Sequence, residues 1–305
     1  MSLDWIYWAI SWILLRWHGL WDAVGVPATR VVGTNWAWIL AIIFLVITLR
    51  VLMFPLFVKY IKSQRAMQAL QPQVTALREK YKGDREGLQR EVMELYRKEK
   101  ANPLLGCIPM LPQIPVFLGL FHVLNFLKPG KSDEFKTLYG WDLAHFEDAL
   151  QARLFNAPIA GKFGSSARDL ALLGADGTTV KIVAAVLVAI MIITTYLSSK
   201  QMILKTGWSE DPQQRMIQKL MLYGIPASLL FSGAIFPIGV IIYWVVNNLF
   251  SLGQQQWVLS KYPPPASGKT TTPVKSTDPE AAKALAPRPG AKPAHPKKGG
   301  GKRQG

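Results

Sequence analysis

The sequence predicts an all-α integral membrane protein with five transmembrane helices and a cytoplasmic helical hairpin. Three observations predict it. Half of the 305 residues are hydrophobic, yet 35 Lys and Arg stand against 19 Asp and Glu, which fits long apolar runs kept apart from basic, water-exposed segments. The apolar residues gather into runs near the ~20 residues that cross a ~30 Å hydrocarbon core. The basic residues, in turn, collect in alternate connecting segments.

Residues 1–35 come first. Asp4, Ser11, His18 and Asp22 recur at helical spacing among Trp5, Trp8, Trp12, Trp17 and Trp21. A narrow polar stripe with many tryptophans predicts an amphipathic helix lying in the outer interface. A sixth span is the competing reading. The segment lacks a basic n-region and a small-residue cleavage site, so no cleaved signal peptide is expected.

The core is expected over residues 36–259, with spans at about 36–58, 103–127, 180–199, 220–236 and 239–259. The last two divide at Pro237 and Gly239, and the fourth is short for a bilayer. Between the first two spans, residues 59–101 place Met67, Leu70, Val74, Leu77 and Tyr81, then Leu88, Val92 and Leu95, at helical spacing. Gly83-Asp84 interrupts the series as a turn, so the segment reads as a hairpin. Residues 128–179 form an extracytoplasmic loop. The tail, residues 260–305, is rich in Pro, Ala, Gly and Lys and cannot build a core.

Orientation follows from charge. Residues 59–102 hold 11 Lys and Arg against 6 Asp and Glu, residues 200–219 hold 4 against 2, and the tail holds 10 against 2. Residues 128–179 hold 6 against 7, and the first 35 hold 2 against 2. The three basic segments belong in the cytoplasm, which puts the N-terminus outside the cell membrane and the C-terminus inside.

Arg50 lies in the first span. A guanidinium near mid-bilayer costs roughly 2.5–3.5 kcal/mol on insertion scales, and it keeps its charge at any physiological pH. No Asp or Glu occurs in any of the five spans, so a water-filled cavity is expected around it. Trp244, Asn248, Ser251 and Gln255 make one stripe on the fifth span. Pro109, Pro112 and Pro115 around Gln113 are expected to free backbone carbonyls in the second. Singly, such groups are commonly interhelical glue; with an arginine that has no carboxylate partner they describe a hydrated groove.

Enzymatic readings find little support, and no cofactor is expected. Gly130-Lys131-Ser132 and Gly268-Lys269-Thr270 lack the upstream glycine of a P-loop, with Asn125 and Pro263 there instead. No GxSxG or HExxH occurs. His18, His122, His145 and His295 form no metal-ligand pattern, and Cys107, in an apolar stretch, reads as packing. A small-solute transporter or channel is the main rival, but an inverted repeat to support it is not evident. A scaffold would not need Arg50.

Four features in order complete the reading. They are Thr48-Leu49-Arg50 with Pro55; Leu70-Gln71-Pro72; Asn102-Pro103-Leu104, Gly106-Cys107, Pro109 and Gln113-Ile114-Pro115-Val116-Phe117; and Phe236-Pro237-Ile238-Gly239, Tyr243-Trp244, Asn248 and Gln254-Gln255-Gln256. From about Trp36 to Val258 the chain thereby resembles the YidC/Oxa/Alb membrane-protein insertases. The resemblance implies an insertase and chaperone for nascent membrane proteins, working alone or beside the Sec translocon in the lipid bilayer. It places the groove at Arg50, Gln113, Trp244 and Asn248, with Ser251 and Gln255 on the same stripe. Clients would leave past an apolar slide of Phe117, Leu118 and Ile241. Met67, Leu70 and Leu77 on the hairpin would receive them, or would only zip the hairpin together. The basic tail is expected to meet ribosomes or anionic lipid. Lacking a large domain after an N-terminal span and a lipobox cysteine, the chain resembles the short bacterial form with an extended tail.

Overall fold

The structure, a computed structural model, describes residues 4–27, 30–99, 110–127, 140–208 and 212–261. Cys107, Pro109, the Asn102-Pro103 boundary and nearly all of the tail lie outside the described residues.

The chain opens with α1 (Asp4–Ala23) and α2 (Trp36–Leu52). A first span over 36–58 is not one helix: the chain turns by 53° at Met53 before α3 (Phe54–Ala69). Pro55 in the first turn of α3 explains the break, because it has no N–H to give the preceding turn and disfavours helical backbone before it. The predicted hairpin follows as α4 (Gln71–Lys80) and α5 (Arg85–Lys98). Gly83 takes φ 97° at the turn, a conformation open to glycine, and the Asp84 carboxylate caps α5 by accepting from the Gly87 N–H.

Helix α6 (Met110–Phe126) runs through Pro115 without interruption. The prolines expected to free backbone carbonyls thus leave the described helix unbroken. Pro112 falls in the first turn, where N–H groups have no intrahelical partner anyway, so Pro115 alone removes an internal bond. The buried face of α1 (Ile6, Ile10, Ser11, Leu14, His18) packs on α2 and α6, while Trp5, Trp8 and Trp12 stay exposed. The middle of its polar stripe thus points into the protein, and its tryptophans divide: those three face out, while Trp17 and Trp21 pack on Phe44 of α2.

The described part of segment 128–179 is a folded cap, which sequence periodicity did not foresee. It comprises α7 (Leu143–Gln151), a hairpin of β1 (Arg153–Leu154) and β2 (Ala157–Pro158), and α8 (Ala167–Leu172). Trp141, Phe146, Ala149, Leu154, Ile159 and Leu170 bury themselves against the helices. Polar staples join the cap to three helix ends. The Arg153 N–H donates to Asn35 Oδ1, and the Asn35 N–H to the Arg153 carbonyl, each at 2.9 Å at the head of α2. Lys162 Nζ donates to Asn125 Oδ1 near the end of α6.

Next, α9 (Gly177–Thr206) starts on an Asp176 cap and ends at Gly207, φ 74°. Thr179 donates from its N–H and its hydroxyl to Asp176, which holds that carboxyl below the usual carboxylate range. Among the described residues, Gly177–Leu204 is the one helix that by itself is long and apolar enough to cross a membrane; the bent α2–α3 pair meets the same criterion as a unit. Only 33% of its apolar window is buried. The core helix of a soluble protein would be covered by protein, so this surface finds its cover in lipid.

The helix that carries the fourth apolar run begins before the run itself. α10 (Pro212–Lys219), a π-helical turn (Leu220–Gly224) and α11 (Ile225–Ser232) follow without a break. Their 8, 5 and 8 residues span roughly 30 Å. The chain then turns ahead of Pro237, as expected, into α12 (Ile238–Lys261). The first amides of α12 are capped from outside the helix: Ile238 N–H donates to the Gly161 carbonyl at 2.8 Å, and Gly239 N–H to that of Ile159 at 2.9 Å. α12 packs on α9, α2 and α6.

Candidate functional site

Arg50 occupies the last turn of α2, just before the Met53 break. The break gives it an electrostatic setting that the sequence reading lacked, because a helix C-terminus carries about half a negative charge and favours a cation. The guanidinium reaches α12. Nε and Nη2 both donate to Asn247 Oδ1, at 2.9 and 2.7 Å, and Nη2 also donates to Ser251 Oγ at 2.8 Å. The Ser251 hydroxyl donates in turn to the Asn247 carbonyl at 2.8 Å. The Phe250 ring lies 5.9 Å from the guanidinium carbon, within cation–π range. Every one of these partners is neutral.

One helical turn before Asn247 is Tyr243, 2% exposed. Gln113 Nε2 on α6 donates to its hydroxyl. Polar groups on three helices therefore fall into two neighbouring sets, Gln113 with Tyr243 and, one turn on, Arg50 with Asn247 and Ser251. Of the expected groove residues, Arg50 and Ser251 touch directly, and Gln113 bonds Tyr243, one turn before Asn247 on α12. Asn247 and Tyr243 were missed. The signal for Asn247 was present but weak: it precedes Asn248 and shares a face with Ser251.

The rest of the expected stripe serves another interface. Asn248 Nδ2 donates to Thr195 Oγ1 at 2.7 Å and to Thr194 Oγ1 at 3.3 Å on α9, and Gln255 Nε2 donates to Ser198 Oγ at 3.0 Å. These amides tie α12 to α9, away from the guanidinium. Trp244, half-buried, meets Phe117 edge-on with centroids 5.3 Å apart. Phe117 belongs to an aromatic cluster with Phe121, Phe236 and Tyr243, and Leu118 is exposed beside it on α6.

Ile241, expected on the apolar slide, is corrected. It is 1% exposed and enclosed by Val188, Met191, Leu229 and Val245, so it is core and presents nothing to a client. On the hairpin, Leu70 is also corrected from an open receiving surface. It is 6% exposed, at the junction of α3 and α4. Met67 and Leu77 are half-buried; Leu77 and Leu95 line a cleft of about 340 Å³ between α4 and α5. α5 buries no residue.

An apolar helix largely open on its surface, beside a guanidinium held by neutral groups between helices, defines an α-helical membrane protein with an internal polar site. Comparison with known proteins agrees: the 60Kd inner membrane protein family matches residues 29–265. Similar proteins named membrane protein insertase YidC include that of Mycolicibacterium paratuberculosis, 36% identical over 309 residues, covering 96% of this chain and 84% of the relative. That of Bifidobacterium longum is 33% identical over 275 residues, covering 86% and 76%. That of Streptomyces avermitilis is 36% identical over 264 residues, covering 85% of this chain; the aligned region is 58% of the relative's length. The chain belongs to the 60Kd inner membrane protein family, the family of the YidC insertases.

Proposed function

We propose that this chain is a membrane protein insertase and chaperone. It takes newly made membrane proteins from the cytoplasm into the bilayer, alone or with the Sec translocon. One observation carries the reading: Arg50 stays charged between α2 and α12, with Asn247 and Ser251 for partners and no carboxylate among the described residues. A cation so placed favours water and polar client groups at membrane depth over hydrocarbon. We infer five spans, with the hairpin and tail in the cytoplasm and the cap outside. A client's polar segment enters the groove from the hairpin side, which shortens the apolar path it must cross. Its apolar segment then partitions into lipid past Phe117 and Leu118, driven by burial. No covalent step is needed.

Thiol labelling tests the groove. In a chain with Cys107 replaced by Ser, Arg50→Cys is expected to react with a membrane-impermeant maleimide from the cytoplasmic side. If it stays unlabelled while a cysteine on α5 reacts fully, the groove is dry and the reading fails. The tail, with 10 basic against 2 acidic residues, is proposed to hold ribosomes near the groove. Ribosome co-sedimentation that is unchanged by removing residues 263–305 at physiological salt removes that part alone.

A further inference from the structure

The cap end contains a titratable cluster far from Arg50. His18 on α1 is 5% exposed, and its ring stacks on Trp38 of α2 with centroids 4.0 Å apart. Its Nε2 lies 3.3 Å from Asp148 Oδ2 on α7, and its Nδ1 lies 3.3 Å from Asp22 Oδ2, one turn further along α1. Asp148 Oδ2 also accepts from Trp38 Nε1 at 2.7 Å. Three elements thus meet at one carboxylate.

We propose that α1 is fastened to the cap by a proton-dependent latch centred on His18. A neutral imidazole has one N–H, so it can serve one carboxylate and must turn a lone pair toward the other. An imidazolium serves both. The Nδ1 side makes no well-formed hydrogen bond, so Asp22 acts there through charge. The titratable groups facing His18 are Asp22 on its own helix and Asp148 and His145 on α7. The His145 ring is 6.4 Å away and is itself held by Asp142 at 2.7 Å; α2 contributes none. Both carboxylates thus face the imidazole, one at each ring nitrogen.

The sign of the pH dependence follows. His18 holds the Asp148 carboxyl below its usual range, helped by the Trp38 N–H. This part of the latch persists as pH falls through the ordinary carboxylate range, and is lost only below it. At the other end the latch weakens as the imidazole loses its proton. Latching matters because α1 covers the cap-side half of α6: Ile10 Cδ1 lies 2.3 Å from where a Cβ on Gly119 would stand, and Tyr7 stacks on His122 with centroids 4.2 Å apart. The pH of the compartment bathing the cap thereby decides how firmly α6 is covered.

Hydrogen exchange on the full chain in lipid vesicles tests this, with rates corrected for intrinsic pH dependence. Protection of residues 4–23 is expected to fall about fivefold between about pH 6 and about pH 8, the scale of a partly exposed charge pair. His18→Gln is expected to remove the pH response, and Asp148→Asn to lower protection at pH 6 to the His18→Gln value. His145→Gln and His122→Gln are expected to keep the wild-type response. A flat wild-type profile overturns the latch. So does a response that survives His18→Gln, is lost with His145→Gln or His122→Gln, or is unaltered by Asp148→Asn.

Discussion

Replacing Arg50 with Ala is expected to lower insertion of a client with an acidic translocated segment about tenfold, the scale of one desolvated charge-assisted contact. The chain should still fold. Among the described residues no carboxylate faces Arg50, so its removal strands no buried charge, and losing the desolvated guanidinium partly offsets the lost hydrogen bonds. What remains unpaired is Asn247 Oδ1, while Ser251 keeps its bond to the Asn247 carbonyl. Arg50→Lys should recover part of the activity. An ammonium supplies the charge, but it lacks the planar fork that gives Asn247 two donors and Ser251 one. The measurement is protease-protected insertion into vesicles for matched clients with acidic, neutral and basic segments. The effect should shrink from acidic to basic clients. Equal insertion of all three by the Ala variant would remove Arg50 from the mechanism.

Deleting the hairpin is expected to have the larger effect: near-complete loss of insertion from a protein that still inserts and resists proteolysis in its membrane helices. The burial pattern supports this division. α5 buries nothing and α4 buries only Val74, so hydrophobic stabilisation of the bundle owes little to either. α3 is different, since Ile61 and Ser63 are buried on it and Leu70 at its end. A deletion of residues 62–98 therefore also strips buried groups, and residues 71–98 with a short linker make the cleaner test. The part lost is the adaptable apolar surface of Leu77, Met93 and Leu95, which could hold a client before the groove does. Full insertion by this variant would mean that the cleft only zips the hairpin together, and the receiving role would be dropped.

The long helices were legible because apolar runs and prolines mark them directly. Trp36 begins one, Pro237 separates two others, and Gly83-Asp84 turns the hairpin. The cap was not legible, because its elements are short and its staples join distant residues: Asn35 and Arg153 meet across 118 positions, a pairing that no local period encodes. The groove was legible in half. Helical spacing gathers Trp244, Asn248, Ser251 and Gln255 on one stripe, but spacing does not say which neighbour each side of the stripe will meet. Asn248 and Gln255 went to α9, while Asn247, one residue off the stripe, took the arginine. Ile241 shows the same limit. An apolar residue on a membrane helix can face lipid or another helix, and only the packing of Val188 and Met191 decides. The π-helical turn hid the start of its helix, because the polar residues from Pro212 to Lys219 look like connecting chain.

The clamp on the first amides of α12 has a geometric consequence for a site well removed from it. Ile238 is held by the Gly161 carbonyl, and Asn247 follows nine residues later, about 14 Å along the axis. A helix fixed at one end behaves as a shaft whose rotational phase is set at the bearing. One residue inserted or removed between 240 and 246 would swing Asn247 by about 100°, and the clamp would prevent α12 from rotating back. The aim of the arginine's partners is thus indexed from the cap, and the length of that stretch is as much a part of the site as the side chains that end it.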